Sequence, residues 1–372
     1  MRKRAHADIA VYLPSLEGGG AERVFVTLAN GFSARGYSVD LVLVNATGPY
    51  IPLVDESVRI INLRKASVFK SIGALASYLR EERPRCFLSG LSHANVAGLI
   101  AILMSGSPVR SVISERVSLS ASRLYQKSVK DRATRLLMHL LYKRADIITV
   151  VAKKISDELV SELRLSPHKI ETIFNPVERA TILRALRGPP PHPWLNKGAS
   201  SPVIIGCGRL TAQKDFHTLL RAFAILRTTR TAKLIILGEG EDRASLEREI
   251  IRAGLKDDVE MPGFVKRPVD YMAHCSVFVL SSRYEGLPGA LVQALHCNVP
   301  LVSTDCPTGP EEILERGRWG QLVPVGDPHA MSVAIEKAID GANTDTTARQ
   351  IAFRESYAID EYLRVLGLPP QK

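Results

Sequence analysis

The stretch VFVLSSRYEGLPGALVQAL, residues 277–295, contains the pattern that decides the fold. Its first four residues form a continuous apolar run, which is typical of a parallel strand buried on both faces. Glu285 follows this strand, and a Gly-Leu-Pro-Gly turn then leads into a helix that carries Gln293. Open parallel sheets bind ligands beyond the carboxyl ends of their strands. The stretch therefore predicts a strand–turn–helix unit with a carboxylate at a ligand-binding edge.

Similar units recur along the whole chain. Apolar, strand-like runs cover residues 8–13, 38–44, 58–63, 86–90, 109–114, 147–151 and 170–174, and then 203–207, 234–237, 259–261, 277–280 and 300–304. Helical patterns lie between them, including residues 20–35, 121–144, 214–229, 241–253 and 327–340. Alternating strands and helices build doubly wound parallel sheets, and the chain holds two sets. We therefore predict an α/β fold with two Rossmann-like domains that face a central cleft.

The boundary between the two sets is marked by composition. Residues 187–202, RGPPPHPWLNKGASSP, contain five prolines and two glycines, as exposed linkers do. We predict an N-terminal domain over residues 1–180, a linker over 181–201 and a C-terminal domain over 202–344. Residues 345–372 should form a helix that packs back on the N-terminal domain.

Charge and composition narrow the possible partners. The net charge is +11, and residues 1–180 carry most of it, with 26 Lys and Arg against 16 Asp and Glu. This half should meet an anionic partner. Aromatic residues make up 6% of the chain and do not interleave with the basic ones, so the stacking platforms of a nucleic-acid-binding protein are missing.

The cysteines and apolar runs point to the cytoplasm. The five cysteines form no CxxC pair and no zinc spacing, so we expect reduced thiols. The basic start of the chain lacks the long apolar core of a signal peptide. The longest apolar run, residues 96–104, is about half of the roughly 20 residues that span a bilayer. We expect a soluble protein that is at most attached to a membrane surface.

Arg209 and Lys214 are candidates for binding a diphosphate. They follow the buried strand 203–207, and Lys214 begins the next helical pattern. An arginine can form a fork onto phosphate oxygens, while a lysine supplies a point charge. Each charge-assisted hydrogen bond contributes about 1.5–3 kcal/mol. A solvated surface pair is the alternative.

Glu285 and Gln293 are candidates for binding sugar hydroxyls. Glu285 should lie on the same sheet edge as Arg209 and Lys214, and a carboxylate and an amide both accept hydrogen bonds from hydroxyl groups. The turn is formed by Gly286, Leu287, Pro288 and Gly289, and all of these except the proline should offer free backbone N–H groups beside them. The alternative makes Glu285 a helix-start charge and Gln293 a solvent-facing residue.

The N-terminal half offers a glycine loop and three polar residues. Gly18, Gly19 and Gly20 follow the first strand and precede a helix, where free N–H groups suit an anion, although a tight turn explains them as well. His93 and the pair Glu115-Arg116 follow other strands. A lone histidine is more often structural. No His, Cys, Asp and Glu cluster has metal spacing, so we expect no metal and no cofactor.

Together these motifs resemble family 4 glycosyltransferases of the GT-B fold. The motifs are SLEGGGAERV (15–24), GRLTAQKD (208–215), GEGED (238–242), PGFV (262–265), SRYEGLPGALVQAL (282–295), STDCPTGPEEIL (303–314) and GQLVPVGDP (320–328). They occur in the family's order and cover nearly the whole chain. The segment 303–314 is most similar to bacterial members that build lipopolysaccharide, capsule and other surface glycans.

The resemblance implies a role for each candidate residue. It places Arg209, Lys214 and the turn 286–289 on the nucleotide-sugar donor, with the Gly19-Gly20 backbone opposite them. Glu285 corresponds to the first acid of the family's Glu-x7-Glu motif, near the transferred sugar. Gln293 replaces the second acid, which usually holds the ribose. His93 and Glu115 would be acceptor-side or catalytic groups.

The implied activity is retaining transfer of a sugar, with UDP as the expected nucleotide, to a lipid-linked or glycan-linked acceptor. The nucleotide sugar is then a substrate. A sugar-nucleotide epimerase of similar fold is the main alternative, and a basic nucleic-acid-binding protein is a remote one. Residues 121–144 carry seven Lys and Arg and one acid, with leucines at helical spacing. This helix should attach the enzyme peripherally to the anionic inner face of the cytoplasmic membrane.

Overall fold

The chain forms two compact units, each with its own parallel sheet. The computed structural model describes residues 6–119, 129–196, 198, 201–341 and 345–368. The first unit comprises Met1–Pro176 together with Glu355–Lys372, and the second comprises Val177–Arg354. Both sheets are flanked by helices along the sequence, so the predicted α/β fold with two Rossmann-like domains is confirmed.

The first unit contains a seven-stranded sheet in the order β3-β2-β1-β4-β5-β6-β7. Its strands are β1 (Ile9–Leu13), β2 (Val39–Leu43), β3 (Arg59–Asn62), β4 (Cys86–Gly90), β5 (Arg110–Glu115), β6 (Ile147–Val150) and β7 (Ile170–Thr172). The helices between them are α1 (Gly20–Ala34), α2 (Ile72–Glu82), α3 (Ser92–Ser105), α4 (Val129–Leu141) and α5 (Lys153–Leu163).

The second unit contains a six-stranded sheet in the order β10-β9-β8-β11-β12-β13. Its helices are α6 (Arg179–Arg187), α7 (Phe216–Arg227), α8 (Arg243–Arg252), α9 (Pro268–Met272), α10 (Gly289–His296), α11 (Pro310–Ile313), α12 (Pro328–Asp340) and α13 (Thr347–Gln350). Its strands are β8 (Val203–Cys207), β9 (Lys233–Leu237), β10 (Val259–Gly263), β11 (Val277–Leu280), β12 (Leu301–Thr304) and β13 (Gln321–Val323).

The apolar runs of the sequence become central strands. Every residue of β1, β2, β4, β11 and β12 is buried, as strands covered on both faces should be. β13 was not predicted, because it is a three-residue edge strand whose first residue, Gln321, is exposed. Such a short run gives almost no periodic signal.

The unit boundaries differ from the predicted ones at residues 180 and 202. The second unit begins at Val177, which pairs with Arg354 in a parallel bridge. Helix α6, in the predicted linker, buries Ile182 and Ala185 and packs against α9. The proline-rich segment that follows contacts the second sheet, because His192 Nε2 lies 2.8 Å from Oε2 of Glu260 in β10.

The C-terminal helix α14 (Glu355–Leu366) packs in the first unit, against α1, β4 and β5. Ile359 and Tyr362 belong to the same core as Phe25 and Phe32 of α1. A Cβ atom at Gly31 would lie 2.2 Å from Ile359 Cδ1, so any other residue there would force the Ile359 side chain to move. Residues 345–354, predicted as part of this helix, belong to the second unit instead.

Candidate active site

The carboxyl ends of β8 and β11 bring Lys214 and Glu285 together in the second unit. The two strands are neighbours and run parallel. Lys214 Nζ lies 2.5 Å from Glu285 Oε1, and the side chains are 17% and 8% exposed. The Ser282 hydroxyl donates to the same carboxylate oxygen at 2.6 Å. The edge therefore holds a largely buried ion pair, and the ammonium group, with three hydrogens, retains donors for a further acceptor.

Hydrogen bonds between the two loops fix this pair. The Ser281 hydroxyl donates to the Lys214 carbonyl at 2.7 Å. The Gln213 side-chain amide donates to the Tyr284 carbonyl at 3.0 Å, and the Arg283 N–H donates to the Gln213 carbonyl at 2.8 Å. These bonds join the loop after β8, which carries Lys214, to the loop after β11, which carries Glu285. A movement of either residue therefore has to move both loops.

The loop after β12 supports Glu285 from the other side. Thr304 donates its hydroxyl hydrogen to the Ser282 carbonyl at 2.6 Å, and the Thr308 hydroxyl donates to the Glu285 carbonyl. Gly309 has φ +93°, and a Cβ atom there would lie 2.6 Å from Pro288 Cδ. Only glycine fits this position, which lets the β12 loop pack against the turn that follows Glu285.

Arg209 lies in the same loop as Lys214 and is exposed. Within the described part of the chain it has neither an ion pair nor a side-chain hydrogen bond. An exposed guanidinium on a loop whose lysine is fixed is free to bind an anion bidentately. The structure thus brings Arg209, Lys214 and Glu285 to one sheet edge, as the sequence predicted.

The turn after Glu285 leads directly into α10. Gly286, Leu287 and Pro288 form the turn, and Gly289 begins the helix, so unpaired N–H groups of the first helical turn lie at this edge. Gln293 lies one turn further on and is half-buried. A half-buried amide near a helix N-terminus can both donate and accept hydrogen bonds.

The glycine loop of the first unit is already engaged by a side chain. Gly19 is the N-cap of α1, and the Glu22 carboxylate accepts hydrogen bonds from the N–H groups of Gly18 (2.8 Å) and Gly19 (2.9 Å). Glu22 thereby supplies the N3 half of a capping box, since the N-cap glycine has no side chain to complete it. An external anion at Gly19 and Gly20 would have to replace this carboxylate or use the remaining N–H groups of the turn.

Glu115 is fully buried at the end of β5. One carboxylate oxygen accepts from the Ser92 hydroxyl (2.9 Å) and the Arg116 N–H (3.1 Å), and the other accepts from the Tyr142 hydroxyl (2.7 Å). Burial raises the pKa of Glu115, and these hydrogen bonds oppose the shift only in part. This setting suits a group that positions its neighbours better than one that touches a substrate.

His93 lies beside this carboxylate on a cavity of about 190 Å³. The cavity is lined by the start of α3, the segment after β5 and one face of α4, including Leu91, Ser92, Val117 and Met138. His93 is accessible to solvent on one side, and the protein around its other side lowers its pKa by removing water. Arg116 also lines the cavity, and it is buried with its guanidinium over the Phe25 ring.

Glu115→Gln should change how the free energy of unfolding depends on pH. The folded-state pKa of Glu115 is raised, so the folded protein binds more protons than the unfolded chain between the unfolded pKa, about 4.3, and the raised value. Wild-type stability should therefore fall with rising pH in this window. Urea unfolding from pH 4 to 8 should show the variant gaining stability relative to wild type as pH rises. The exposed Glu56→Gln is the control, and a pH-independent difference for Glu115→Gln would contradict the assignment.

Among the described residues, no cluster of three His, Cys, Asp or Glu side chains could hold a metal ion. Sequence reasoning missed the supporting residues Ser282, Thr304, Thr308 and Tyr142. Thr304 is the last residue of β12, and Ser282 lies two residues beyond β11. These positions at the sheet edge were the available signal. The sequence around Tyr142 contains no such signal, because Tyr142 and Glu115 are 27 residues apart in the chain.

Two family models match the chain and together cover most of it. Residues 18–181 match "Glycosyltransferase Family 4", and residues 201–341 match "Glycosyl transferases group 1". The first match spans most of the first unit, and the second contains Arg209, Lys214, Glu285 and Gln293.

Curated relatives and solved structures resemble the chain over nearly its full length. The N-acetylgalactosamine-N,N'-diacetylbacillosaminyl-diphospho-undecaprenol 4-alpha-N-acetylgalactosaminyltransferase of Campylobacter jejuni is 29% identical over 89% of this chain and 90% of its own. LpsE of Rhizobium meliloti, a lipopolysaccharide core biosynthesis glycosyltransferase, is 26% identical over 95% and 97%.

The fold is shared with solved glycosyltransferase structures. Anabaena Alr3699/HepE in complex with UDP has a TM-score of 0.78 at 19% identity, covering 97% of this chain and 99% of that one. The lipopolysaccharide outer core galactosyltransferase WaaB has a TM-score of 0.75 at 19% identity, covering 96% and 99%. The chain therefore has the GT-B fold and belongs to the family 4 glycosyltransferases.

Proposed function

We propose that the protein is a retaining glycosyltransferase of bacterial surface polysaccharide biosynthesis, which moves a sugar from a UDP-linked donor to a lipid-linked or glycan-linked acceptor. The observation that carries the proposal is the Lys214–Glu285 pair, fixed between two loops beside the exposed Arg209. The UDP bound in Anabaena HepE and the undecaprenol-linked acceptor named for the Campylobacter relative support the choice of substrates. Family membership favours transfer over the epimerase activity.

Each group at the sheet edge has a role in this proposal. Arg209 and Lys214 bind the diphosphate and neutralise the charge that develops on it as it leaves, so the reaction needs no metal. Glu285 accepts hydrogen bonds from the transferred sugar, and Gln293 binds the ribose. The N–H groups of Gly286, Leu287 and Gly289 complete the donor site of the second unit. His93, in the first unit, acts on the acceptor.

Donor binding can be tested through thermal unfolding with a panel of nucleoside diphosphates and nucleotide sugars. A ligand at about 100 times its dissociation constant stabilises the folded protein by about 2.7 kcal/mol, and we expect UDP and a UDP-sugar to do so. Arg209→Ala should remove most of this stabilisation without changing the unfolding of the free protein, because Arg209 is exposed and unpaired.

The matched control is Arg248→Ala, an exposed arginine of α8 in the same unit. It should leave the shift by UDP unchanged. If no nucleotide stabilises the wild type, or if Arg209→Ala responds to UDP as the wild type does, the proposed donor site is wrong.

We also propose peripheral attachment to the cytoplasmic face of the inner membrane through α4. Residues 121–128 of the predicted basic helix lie outside the described residues. Helix α4 exposes Leu136 (62%) and Leu140 (63%), and the exposed Arg132 and Lys143 lie on it and just beyond its end. Helix α3, which packs against α4, exposes Met104 (56%). Apolar side chains flanked by cations suit an anionic bilayer surface. No helix in the described ranges is long and apolar enough to cross a membrane.

Vesicle sedimentation tests this attachment. The protein should sediment with anionic vesicles and not with neutral ones, and salt should release it, because each cation near an anionic leaflet contributes about 1 kcal/mol and is screened by ions. Leu136→Ser with Leu140→Ser should weaken binding, whereas Leu183→Ser with Leu186→Ser on α6 should not. Equal sedimentation with both vesicle types, or with neither, would rule the attachment out.

A further inference from the structure

Asp215 occupies the N-cap position of α7 without capping the helix. It directly follows Lys214, and its side chain accepts no hydrogen bond from the first helical turn, although aspartate usually does so at this position. Its backbone is left-handed, with φ +47° and ψ 49°, a conformation that residues other than glycine adopt only rarely. The carboxylate at this point therefore serves another contact.

That contact is an ion pair with an arginine of the neighbouring loop. Arg283 Nε lies 3.0 Å from Asp215 Oδ2, and the Thr218 hydroxyl donates to the same oxygen at 2.8 Å. Asp215 is buried, whereas Arg283 is exposed. A carboxylate at the start of α7 is thus compensated by a cation from the loop after β11.

This second ion pair joins the same two loops as the Lys214–Glu285 pair. Asp215 follows Lys214 in the loop after β8, and Arg283 precedes Glu285 by two residues in the loop after β11. Each loop contributes one cation and one anion, so the two pairs have opposite polarity. The loops cannot separate here without breaking both pairs.

The donor competes for both members of the Lys214–Glu285 pair. In the proposed reaction, the diphosphate attracts the Lys214 ammonium and the sugar hydroxyls donate to the Glu285 carboxylate. Each contact draws on atoms that also hold the two loops together. Arg283 and Asp215 have no part in donor binding, so their ion pair continues to join the loops when the donor is bound.

The backbone at Asp215 also determines where the Lys214 ammonium lies. The stem of Lys214 packs against Gly208, where a Cβ atom would lie 3.1 Å from Lys214 Cδ and Cε. The stem therefore has little room to adjust, and its direction follows from the backbone at residues 214 and 215. An interaction that fixes Asp215 thereby fixes its neighbour, as supporting residues of a binding site do.

We propose that Arg283 and Asp215 are positioning residues, whose ion pair keeps Lys214 and Glu285 in place while both contact the donor. Because Lys214 and Glu285 are donor-binding groups only under the proposed function, this role rests on that function. It adds two residues that act through their neighbours and do not touch the substrate.

Hydrogen exchange in the full chain without ligand tests the loop itself. The backbone N–H groups of Lys214 and Asp215 both donate to the Thr211 carbonyl, and their exchange measures how often the loop opens. Arg283→Ala should speed this exchange about fivefold or more, as should Asp215→Asn, whose amide tolerates a left-handed backbone. Arg221→Ala, which removes another exposed arginine of an ion pair in the same unit, should leave it unchanged.

Single-turnover rates test the role in the reaction. They are measured per folded molecule, with UDP-glucose, UDP-galactose and their N-acetylated counterparts as donors and a membrane fraction as acceptor. Arg283→Ala and Asp215→Asn should each lower the rate at saturating donor about tenfold, since a small displacement of a reacting group is enough for such a loss. The double variant should be no slower than either single one, because all three lack the same pair. Arg283→Lys keeps a cation and should retain most of the rate.

UDP binding distinguishes positioning from direct contact. By isothermal titration, Arg283→Ala and Asp215→Asn should weaken UDP binding equally, and both by less than Lys214→Ala. A loss confined to Arg283→Ala would mean that Arg283 binds the donor itself, and it would overturn the positioning role.

Three further results would also overturn this role. Wild-type exchange in both Arg283→Ala and Asp215→Asn would show that the pair does not hold the loop, and wild-type rates in both would show that it only stabilises the fold. A double variant whose loss is the product of the two single losses would show that the residues act independently. If the wild type binds neither UDP nor a UDP-sugar, the proposed function fails and the positioning role with it. Wild-type binding with unaffected variants rejects the positioning role alone.

Discussion

Lys214→Ala should abolish binding of UDP and also destabilise the second unit by about 3 kcal/mol. Removing one partner of a buried ion pair leaves the other charge without compensation, at a cost of about 3–5 kcal/mol. The lower end applies here, because Lys214 retains 17% exposure and Ser282 still donates to Glu285. Isothermal titration with UDP and urea unfolding measure the two effects separately.

The double variant Lys214→Ala with Glu285→Gln separates charge burial from ligand binding. Neutralising Glu285 removes the uncompensated charge, so much of the lost stability should return while UDP binding stays absent. If the double variant recovers UDP binding, Lys214 acts through the fold and not on the diphosphate. If Lys214→Ala is as stable as the wild type, the ion pair at 2.5 Å contributes nothing measurable.

Glu285→Gln should lower turnover by at least about 10²-fold, the loss typical of removing one group that stabilises a transition state. The amide keeps the size of the side chain and can accept from Lys214 and Ser282, so the fold should persist. UDP binding should change little, because Glu285 acts on the sugar and not on the nucleotide. Single-turnover measurement with donor and a membrane fraction as acceptor would give the rate.

Gln293→Ala is the matched comparison for Glu285→Gln. It lies one helical turn beyond the same loop and should weaken UDP binding while the rate at saturating donor stays near that of the wild type. A Glu285→Gln enzyme of wild-type rate, or a Gln293→Ala enzyme that fails only in turnover, would contradict this division of roles.

The sequence predicted the edge of the second sheet well because its signals are local. Buried strands 203–207 and 277–280 are continuous apolar runs, and Lys214 and Glu285 follow them within a few residues. Parallel strands bring such residues to one edge whatever the details of packing. That the two strands are neighbours could not be read from either segment alone.

Contacts between segments that lie far apart in the chain could not be predicted from the sequence. Nothing near Thr308 shows that its hydroxyl bonds the Glu285 carbonyl, and nothing near Glu115 shows that Tyr142 and Ser92 surround it. Glu115 was predicted as an acceptor-side or catalytic group, and its complete burial could not be read from the sequence. The amphipathic pattern of α6 was likewise hidden by the prolines that follow it.

Helix α14 has a consequence for how the protein folds during synthesis. It supplies core residues to the first unit, and its last turn accepts hydrogen bonds from the Cys86 thiol and the Arg110 guanidinium at the Leu366 and Val365 carbonyls. Domains generally fold in order as the ribosome releases them. Here residues 177–354 are synthesised between the two parts of the first unit. The surface around Phe25 and Phe32 therefore stays exposed until the second unit has been synthesised and α14 follows. A chaperone that binds exposed apolar surface would have its longest opportunity during that interval.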